Sequence, residues 1–341
     1  MIAHGFVMQT VFIIGANGFI GSHVVDWYRD RGHAVRCLVR SPDRLPRRDG
    51  IEPVVGTLEN VAAWAGAVAG CATVINAGGA VASRRRGDLT AVNGQAVGTL
   101  ADACSRLETP PTLVHISSLA AAGPAPGSAP PDESLPPEPV SRYGASKLAG
   151  ERELRLRAGR LPITVVRPGI VFGPRDERVA AVFQSIARFR LHLRMGFRDG
   201  PLSLLHVADL VPLLAAAAAD GERLEAGPAL TGRGIYNACD DREHPTYGNL
   251  GRRIAAALGR SVLVVPLPVL LAWPASLAVQ AFWNALGQPS IVSPDKLREA
   301  TAGSWAASAL KARRDLGFAA AATLDDRLRE TAAWLQANCK L

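Results

Sequence analysis

Paired cysteines are missing from this chain. Its five, Cys37, Cys71, Cys104, Cys239 and Cys339, stand far apart, which argues against a disulfide framework and against a zinc cage, and no metal is expected. That usage fits a reducing compartment, so the expected location is cytoplasmic. Aromatic residues are scarce, at 6% of 341, and they are not interleaved with the cations. The formal charge is +8, with 38 basic against 30 acidic residues, yet scattered cations without aromatics do not make a nucleic-acid surface. The densest basic run, Arg84–Arg86, reads as a solvated helix start. The opening MIAHGFVMQT lacks a basic stretch followed by an apolar core and cleavage site, so no secretory leader is expected, and Met8 is an alternative start.

One uncharged run raises the question of a membrane. Ser261 to Gln288 carries no charged residue, and about twenty apolar residues suffice to span a bilayer. Pro266, Pro268 and Pro274 crowd its first half, where they disrupt helical hydrogen bonding. The expectation is a strand and a helix covering an apolar pocket, with peripheral contact to a bilayer left open.

What the chain does have is rhythm. The runs TVFIIG, AVRCLV, EPVVG, TVINAG, TLVHISS and PITVVRPG are rich in Val and Ile without polar alternation, as in strands covered on both faces. Helical patterns separate them, which predicts an α/β fold with a doubly wound parallel sheet of the Rossmann type, helices on both faces. That domain is expected over 8–175, with a smaller, mainly helical substrate lobe over 176–341 partly interleaved with it. In the second part LLHVADLVPLLAAAAADG reads as a helix after a short extended entry, and YGNLGRRIAAALGR and TLDDRLRETAAWLQ as amphipathic helices. Between Gly123 and Pro139 seven prolines forbid regular structure and predict a semi-rigid loop, either a lid or a passive excursion.

The first apolar run enters GANGFIG and then a helix. Gly15 permits a tight turn, Gly18 a close backbone approach, and Gly21 tight packing of helix on strand. The helix N-terminus then offers unpaired N–H groups to a pyrophosphate. Asn17, Phe19 and Ile20 lie between those glycines and are expected to contact the same dinucleotide. At the end of the second strand, where a carboxylate would bond the ribose of NAD, stand Arg40 and Ser41. A cation and a hydroxyl there suit a 2′-phosphate, so the expected cofactor is NADP rather than NAD. Arg44, a few residues on, can join them.

Tyr143 precedes Lys147 by four residues, which places them one above the other on a helix face. A phenol titrates near pH 10, and a neighbouring ammonium favours its phenolate. The strand LVHISS ends in Ser117 and Ser118, at the sheet edge that should also carry the glycine turn. A serine hydroxyl there can hold a carbonyl oxygen while the tyrosine moves its proton.

Taken together these residues resemble the extended short-chain dehydrogenases/reductases, the NAD-dependent epimerase/dehydratase superfamily. GxxGxxG and YxxxK are followed in order by VINAGG, AVNGQAVGTL, VVRPGIVFGPRD, LLHVADL, RRDLGF and LRETAAWLQ, each similar to a landmark of that family. The resemblance implies Tyr143 as general acid/base, Lys147 as the ribose-binding cation that depresses the tyrosine pKa, and Ser118 as the substrate-holding hydroxyl. It further implies cofactor contacts from Leu58, Ala77, Gly78, Asn93, Ser117, Tyr143, Lys147 and the stretch Pro168, Gly169, Ile170 and Val171. A role for Asn93 in bridging helix and strand is an equal alternative. Two departures matter. Thr57 replaces the aspartate common beside the adenine, and Leu119 and Ala120 stand where sugar-nucleotide dehydratases carry an acid pair. The segments VRCLVRSPDR and ISSLAAAG resemble flavonol-type ketone reductases and the 3β-hydroxysteroid dehydrogenase branch. An NADP(H)-dependent carbonyl/alcohol oxidoreductase acting on a small hydrophobic molecule is therefore expected, as a homodimer through the helix bearing Tyr143. The alternatives are a nucleotide-sugar epimerase, with Arg188, Arg190, Arg194 and Arg198 supplying a basic pocket, and a non-catalytic cofactor sensor.

Overall fold

The Val/Ile runs become strands because only a doubly covered sheet hides that much apolar surface. A computed structural model describes residues 8–45, 48–82, 87–197, 199–227, 232–285 and 293–341. The Arg84–Arg86 run, Arg198 and the end of the uncharged segment lie outside the described residues, as does the side chain of Arg44. The strands are β1 (Thr10–Ile14), β2 (Ala34–Val39), β3 (Ile51–Val55), β4 (Thr73–Asn76), β5 (Thr112–Ile116), β6 (Ile163–Pro168), β7 (Ile170–Phe172), β8 (Leu191–Met195), β9 (Leu204–His206), β10 (Ile235–Ala238) and β11 (Leu263–Leu267). The helices are α1 (Phe19–Arg29), α2 (Asp88–Thr90), α3 (Ala96–Ser105), α4 (Leu119–Ala122), α5 (Arg142–Arg155) and α6 (Glu177–Phe189). They continue with α7 (Val207–Asp220), α8 (Tyr247–Ala257), α9 (Val269–Ala285), α10 (Pro294–Thr301), α11 (Leu310–Leu316) and α12 (Leu324–Ala337).

Seven strands form one parallel sheet in the order β10-β6-β5-β4-β1-β2-β3. Six are the six apolar runs; the seventh, β10, escaped the sequence because IYNA is not a Val/Ile run. The order reverses between β1 and β4, whose last residues Ile14 and Asn76 are partners. The carboxyl ends of those two strands therefore flank the crevice where such sheets bind ligands. Successive side chains of β1 feed opposite cores: Val11 and Ile13 pack with α1 and α7, Phe12 and Ile14 with α3 and Trp64. Burying each such side chain contributes roughly 1.5–3 kcal/mol.

Beyond β6 the chain alternates between this sheet and a second assembly. Strands β7 and β9 pair in parallel, as do β8 and β11. A third core, including Phe183, Leu250 and Leu328, joins α6, α8 and α12. The HVADL element proves to be a clamp: Asp209 of α7 takes two bonds from Arg327 of α12, at 2.6 and 3.0 Å. The proline-rich stretch is pinned rather than loose. Ala125 bridges Ser304, the Pro131 carbonyl accepts from Ser308 N, and the buried Glu133 accepts from Asn237 N at 2.6 Å. The uncharged segment forms β11 and the 17-residue α9. No helix among the described residues is long and apolar enough to cross a membrane.

Candidate active site

The turn after β1 is shaped by two contacts that only glycine allows. Gly15 has φ +79°, and a Cβ there would lie 2.9 Å from the Ala77 and Gly78 backbone; one on Gly21 would lie 2.0 Å from the Gly15 carbonyl oxygen. These contacts bring the β1 turn, the α1 N-terminus and the β4 turn together. No side chain caps α1 at Gly18, so its first N–H groups remain available to an anion. Asn17 and Gly18 are exposed, while Phe19 and Ile20 are half-buried against the core. Beside this turn lies a cavity of about 370 Å³ whose lining includes Asn17, Gly18, Arg48 and Arg175. Arg40 is exposed at the end of β2, and among the described residues it has no ion-pair partner; Ser41 bonds Asp43 at 3.4 Å.

On the other side of the crevice α5 starts at Ser141, whose hydroxyl accepts from Gly144 N. Its first turn carries Tyr143 and its second Lys147. Tyr143 is half-buried with Ser118 beside its hydroxyl, and the Ser118 hydroxyl itself accepts from Ala120 N at 3.1 Å. Burial raises the Tyr143 pKa, opposed by the Ser118 hydroxyl and the positive charge of Arg178. Lys147 is not among the groups that shift it. The Lys147 ammonium, 5% exposed, instead donates to the Ile116 carbonyl at 2.8 Å. Burial pulls its pKa down to about 8, with Glu151 opposing.

Beneath this pair runs a buried polar chain. Ser117 donates to Glu151 at 2.5 Å, and Arg167 grips both oxygens of the same carboxylate. The Ser117 hydroxyl is thus spent inside the fold, so any contact from it to a cofactor must come from its main chain. His115, fully buried under Lys147, accepts from Asn76 at 3.1 Å. Burial and the lysine charge hold its pKa well below the usual range, so the imidazole is neutral. Asn93 is buried in a π-helical turn and ties Ala80 to Ser146: its amide takes and gives one bond to Ala80, at 2.9 and 2.7 Å, and donates to Ser146 at 2.9 Å. Those bonds make it the bridge that was its alternative reading.

Of the remaining expected residues, Ala77 and Gly78 line the β4 turn next to Gly15. Pro168 closes β6, and Gly169 passes so close to Ser203 that a Cβ would lie 2.3 Å from its carbonyl oxygen. Ile170 is exposed and Val171 half-buried at the crevice. Leu58 lies in the core with Val61 and Trp64, so its side chain packs inward. Sequence reasoning missed Gly79, where a Cβ would sit 2.9 Å from Asn93 Oδ1 and 3.3 Å from Lys147 Nζ. It also missed α10. Asp295 accepts from the Arg142 and Tyr143 amides, Glu299 accepts from Ser141, and the Lys296 ammonium lies 4.7 Å from the centre of the Tyr143 ring. Nothing local marks α10 as a partner of α5, because the contact spans some 150 residues of chain. Among the described residues no cluster of His, Cys, Asp or Glu suits a metal.

Residues 11–238 match the NAD dependent epimerase/dehydratase family. A ceramide reductase of Caulobacter vibrioides is 27% identical over 87% of this chain and 86% of its own length. A 4-hydroxy-2-methyl-3-oxo-4-farnesyl-3,4-dihydroquinoline-1-oxide ketoreductase of Stigmatella aurantiaca is 29% identical over 92% of each chain. Among solved structures, the UDP-glucose 4-epimerase of Thermotoga maritima with UDP-glucose superposes with a TM-score of 0.78 at 19% identity, over 97% of this chain and 100% of that one, a likeness of fold. A Rossmann sheet with a glycine turn at its switch point, joined to a family match over two-thirds of the residues, makes this chain an enzyme of the NAD dependent epimerase/dehydratase family, in its extended short-chain dehydrogenase/reductase branch.

Proposed function

We propose that the enzyme reduces a hydrophobic carbonyl compound, or oxidises the matching secondary alcohol, with NADP(H). The observation that carries the reading is Tyr143 set beside Ser118 and one helical turn from the buried Lys147 ammonium, at the sheet's carboxyl edge. The uncapped α1 N-terminus at Gly18 and the cavity beside it fit the pyrophosphate of a dinucleotide. A nicotinamide dinucleotide bound there supplies or takes the hydride. In reduction Ser118 Oγ holds the carbonyl oxygen and Tyr143 Oη gives it a proton as negative charge develops. Lys147 is the ribose-binding cation, and Gly15–Gly21 with the α1 N-terminus take the pyrophosphate. Ala77, Gly78 and the stretch Pro168–Val171 would line the nicotinamide end. Asn93 positions the β4 turn through Ala80.

Support for NADP comes from Arg40, exposed and outside any described ion pair at the end of β2, and from Arg48 at the rim of the neighbouring cavity. Support for an apolar substrate comes from the two full-length relatives, whose names denote lipid and farnesylated substrates. Leu119 and Ala120 are buried apolar residues after Ser118, so dehydration lacks an acid and base there. For the epimerase alternative the basic stretch is poorly disposed. Arg188 and Arg190 are exposed at the end of α6, and Arg194 bonds the Phe197 carbonyl. A homodimer across α5 is part of the reading, supported by family likeness; sedimentation velocity tests it. The decisive assay is NADPH oxidation by purified protein with long-chain ketones, with UDP-glucose binding measured in parallel. Turnover of the ketone supports the proposal; UDP-glucose binding without ketone turnover overturns it.

A further inference from the structure

The uncharged helix α9 is built the wrong way round for a helix facing water. Its exposed positions are Leu270, Leu271, Pro274, Leu277, Ala278 and Ala281, spaced i, i+1, i+4, i+7, i+8 and i+11, a single helical face. The opposite face is the buried one, at Ala272 and Ser276. A surface helix ordinarily turns its polar side to solvent. Among the described side chains of α9 every exposed one is apolar, with Leu270 84%, Leu271 59% and Leu277 54% exposed.

The two-stranded sheet leading into α9 carries exposed apolar residues of its own. Leu191, Leu193 and Met195 of β8 pair with Leu263, Val265 and Leu267 of β11. Paired residues share a face, so all six lie on one side, and His192 on the other side packs against Gly251 of α8. Leu193 and Leu263 are exposed, as are Phe189 at one end of β8 and Phe197 at the other. So many exposed large apolar residues close together in the fold are uncommon on a free-standing protein and mark an interaction site.

Its borders are basic. Arg188, Arg190, Arg260 and Arg298 are exposed around it. Arg260 anchors to the Ala187 carbonyl beside the first two, and Arg298 stands 5.7 Å from the centre of the Trp273 ring. Aliphatic side chains ringed by arginine, with a tryptophan at the boundary, match the junction between acyl chains and anionic headgroups. A second copy of this chain fits worse, because a two-fold contact would set the same arginines against one another. Among the described residues no helix is long and apolar enough to span, and Pro274 lies inside α9.

We propose that α9 and the outer face of β8 and β11 seat this enzyme on the surface of an anionic bilayer, α9 lying in the plane of the interface. Helix α10 packs against α9 and also holds the start of α5, through Asp295 and the Tyr143 amide. The membrane-facing surface thus adjoins the candidate active site, and a lipid-dissolved substrate would have a short path to it. The docking stands on the surface alone and does not depend on the reaction proposed above.

The test is co-sedimentation of the purified protein with vesicles of phosphatidylcholine alone or with one-third phosphatidylglycerol. The expected result is binding to the anionic vesicles that weakens with salt, and at least a tenfold loss of partitioning in the Leu271→Glu/Leu277→Glu double variant. NADPH binding and the melting curve of the variant report whether it folds; both positions are exposed. Should it not fold, quenching of the wild-type tryptophan fluorescence by brominated phosphatidylcholine decides the matter without mutation. Absence of wild-type binding, or equal binding by a folded variant, overturns the proposal. So does a wild-type dimer that the double substitution dissociates, which would assign the face to a second copy. Turnover of a short, water-soluble ketone without vesicles scores the chemistry separately.

Discussion

Tyr143 and Lys147 share a helix face, but their environments push them in ways the spacing does not reveal. The phenol is held above its ordinary pKa by burial, and the neighbours that oppose this are Ser118 and Arg178. Tyr143→Phe should lower kcat by about 10²–10⁴-fold, the range of general acid–base catalysis, while the NADPH dissociation constant stays unchanged by calorimetry. The ammonium of Lys147 is a burden on the fold. Its pKa falls from 10.5 in the unfolded chain to about 8 in the folded one. Between those values the unfolded chain binds the proton and the folded chain does not, so this group makes stability rise with pH across that window. Below it the buried charge costs about 3 kcal/mol, an order of magnitude. Lys147→Met should therefore melt no lower than wild type at pH 7, while NADPH affinity drops; a lower melting temperature with intact affinity would contradict the assignment. Arg40→Asp should move the ratio of kcat/KM for NADPH over NADH toward NADH, and an unchanged ratio would remove the 2′-phosphate from that site.

Among elements, α5 is held from below by charge. Glu151 is fully buried and receives Ser117 and Arg167. Removing one partner of such a pair leaves the other uncompensated, so Glu151→Ala should cost about 3–5 kcal/mol of unfolding free energy, measured by urea denaturation. The sequence pattern YxxxK points to the two crevice residues and is silent on Glu151, which looks like any solvated helix position. The same holds for Asp209, which family likeness flags without a reason; the fold supplies one, the clamp on Arg327. Strands β1 to β6 were legible because each is a Val/Ile run between glycines and polar turns. β10 was not, because IYNA holds a single Ile and no Val/Ile run.

For the molecule as a whole, the proline-rich segment is a strap rather than a hinged lid. It crosses from Ser118 to Tyr143 while tied at Ala125, Pro131 and Glu133 to residues between 237 and 308. Only its tip, 126–130, is uniformly exposed. Limited proteolysis should cut at that tip at the same rate with and without NADPH; protection by the cofactor would restore the lid. The chain's ends of contact, α10 on α5 and α12 on α7, likewise come from distant sequence, which is why no local pattern announced them.

Local order decided a great deal: the parallel sheet, the glycine turn at its switch point, and the Ser118, Tyr143 and Lys147 positions all follow from residue types at short spacings, where backbone sterics and helix periodicity leave few choices. Long-range packing decided the rest. What the Ser117 and Ser118 hydroxyls bond, what Lys147 faces, where α10 lands and which side of α9 is left bare depend on contacts between separate elements, from about thirty residues apart for Ser117 and Lys147 to about 150 for α10, and those are set by the competition to bury surface rather than by any signal within the segments themselves.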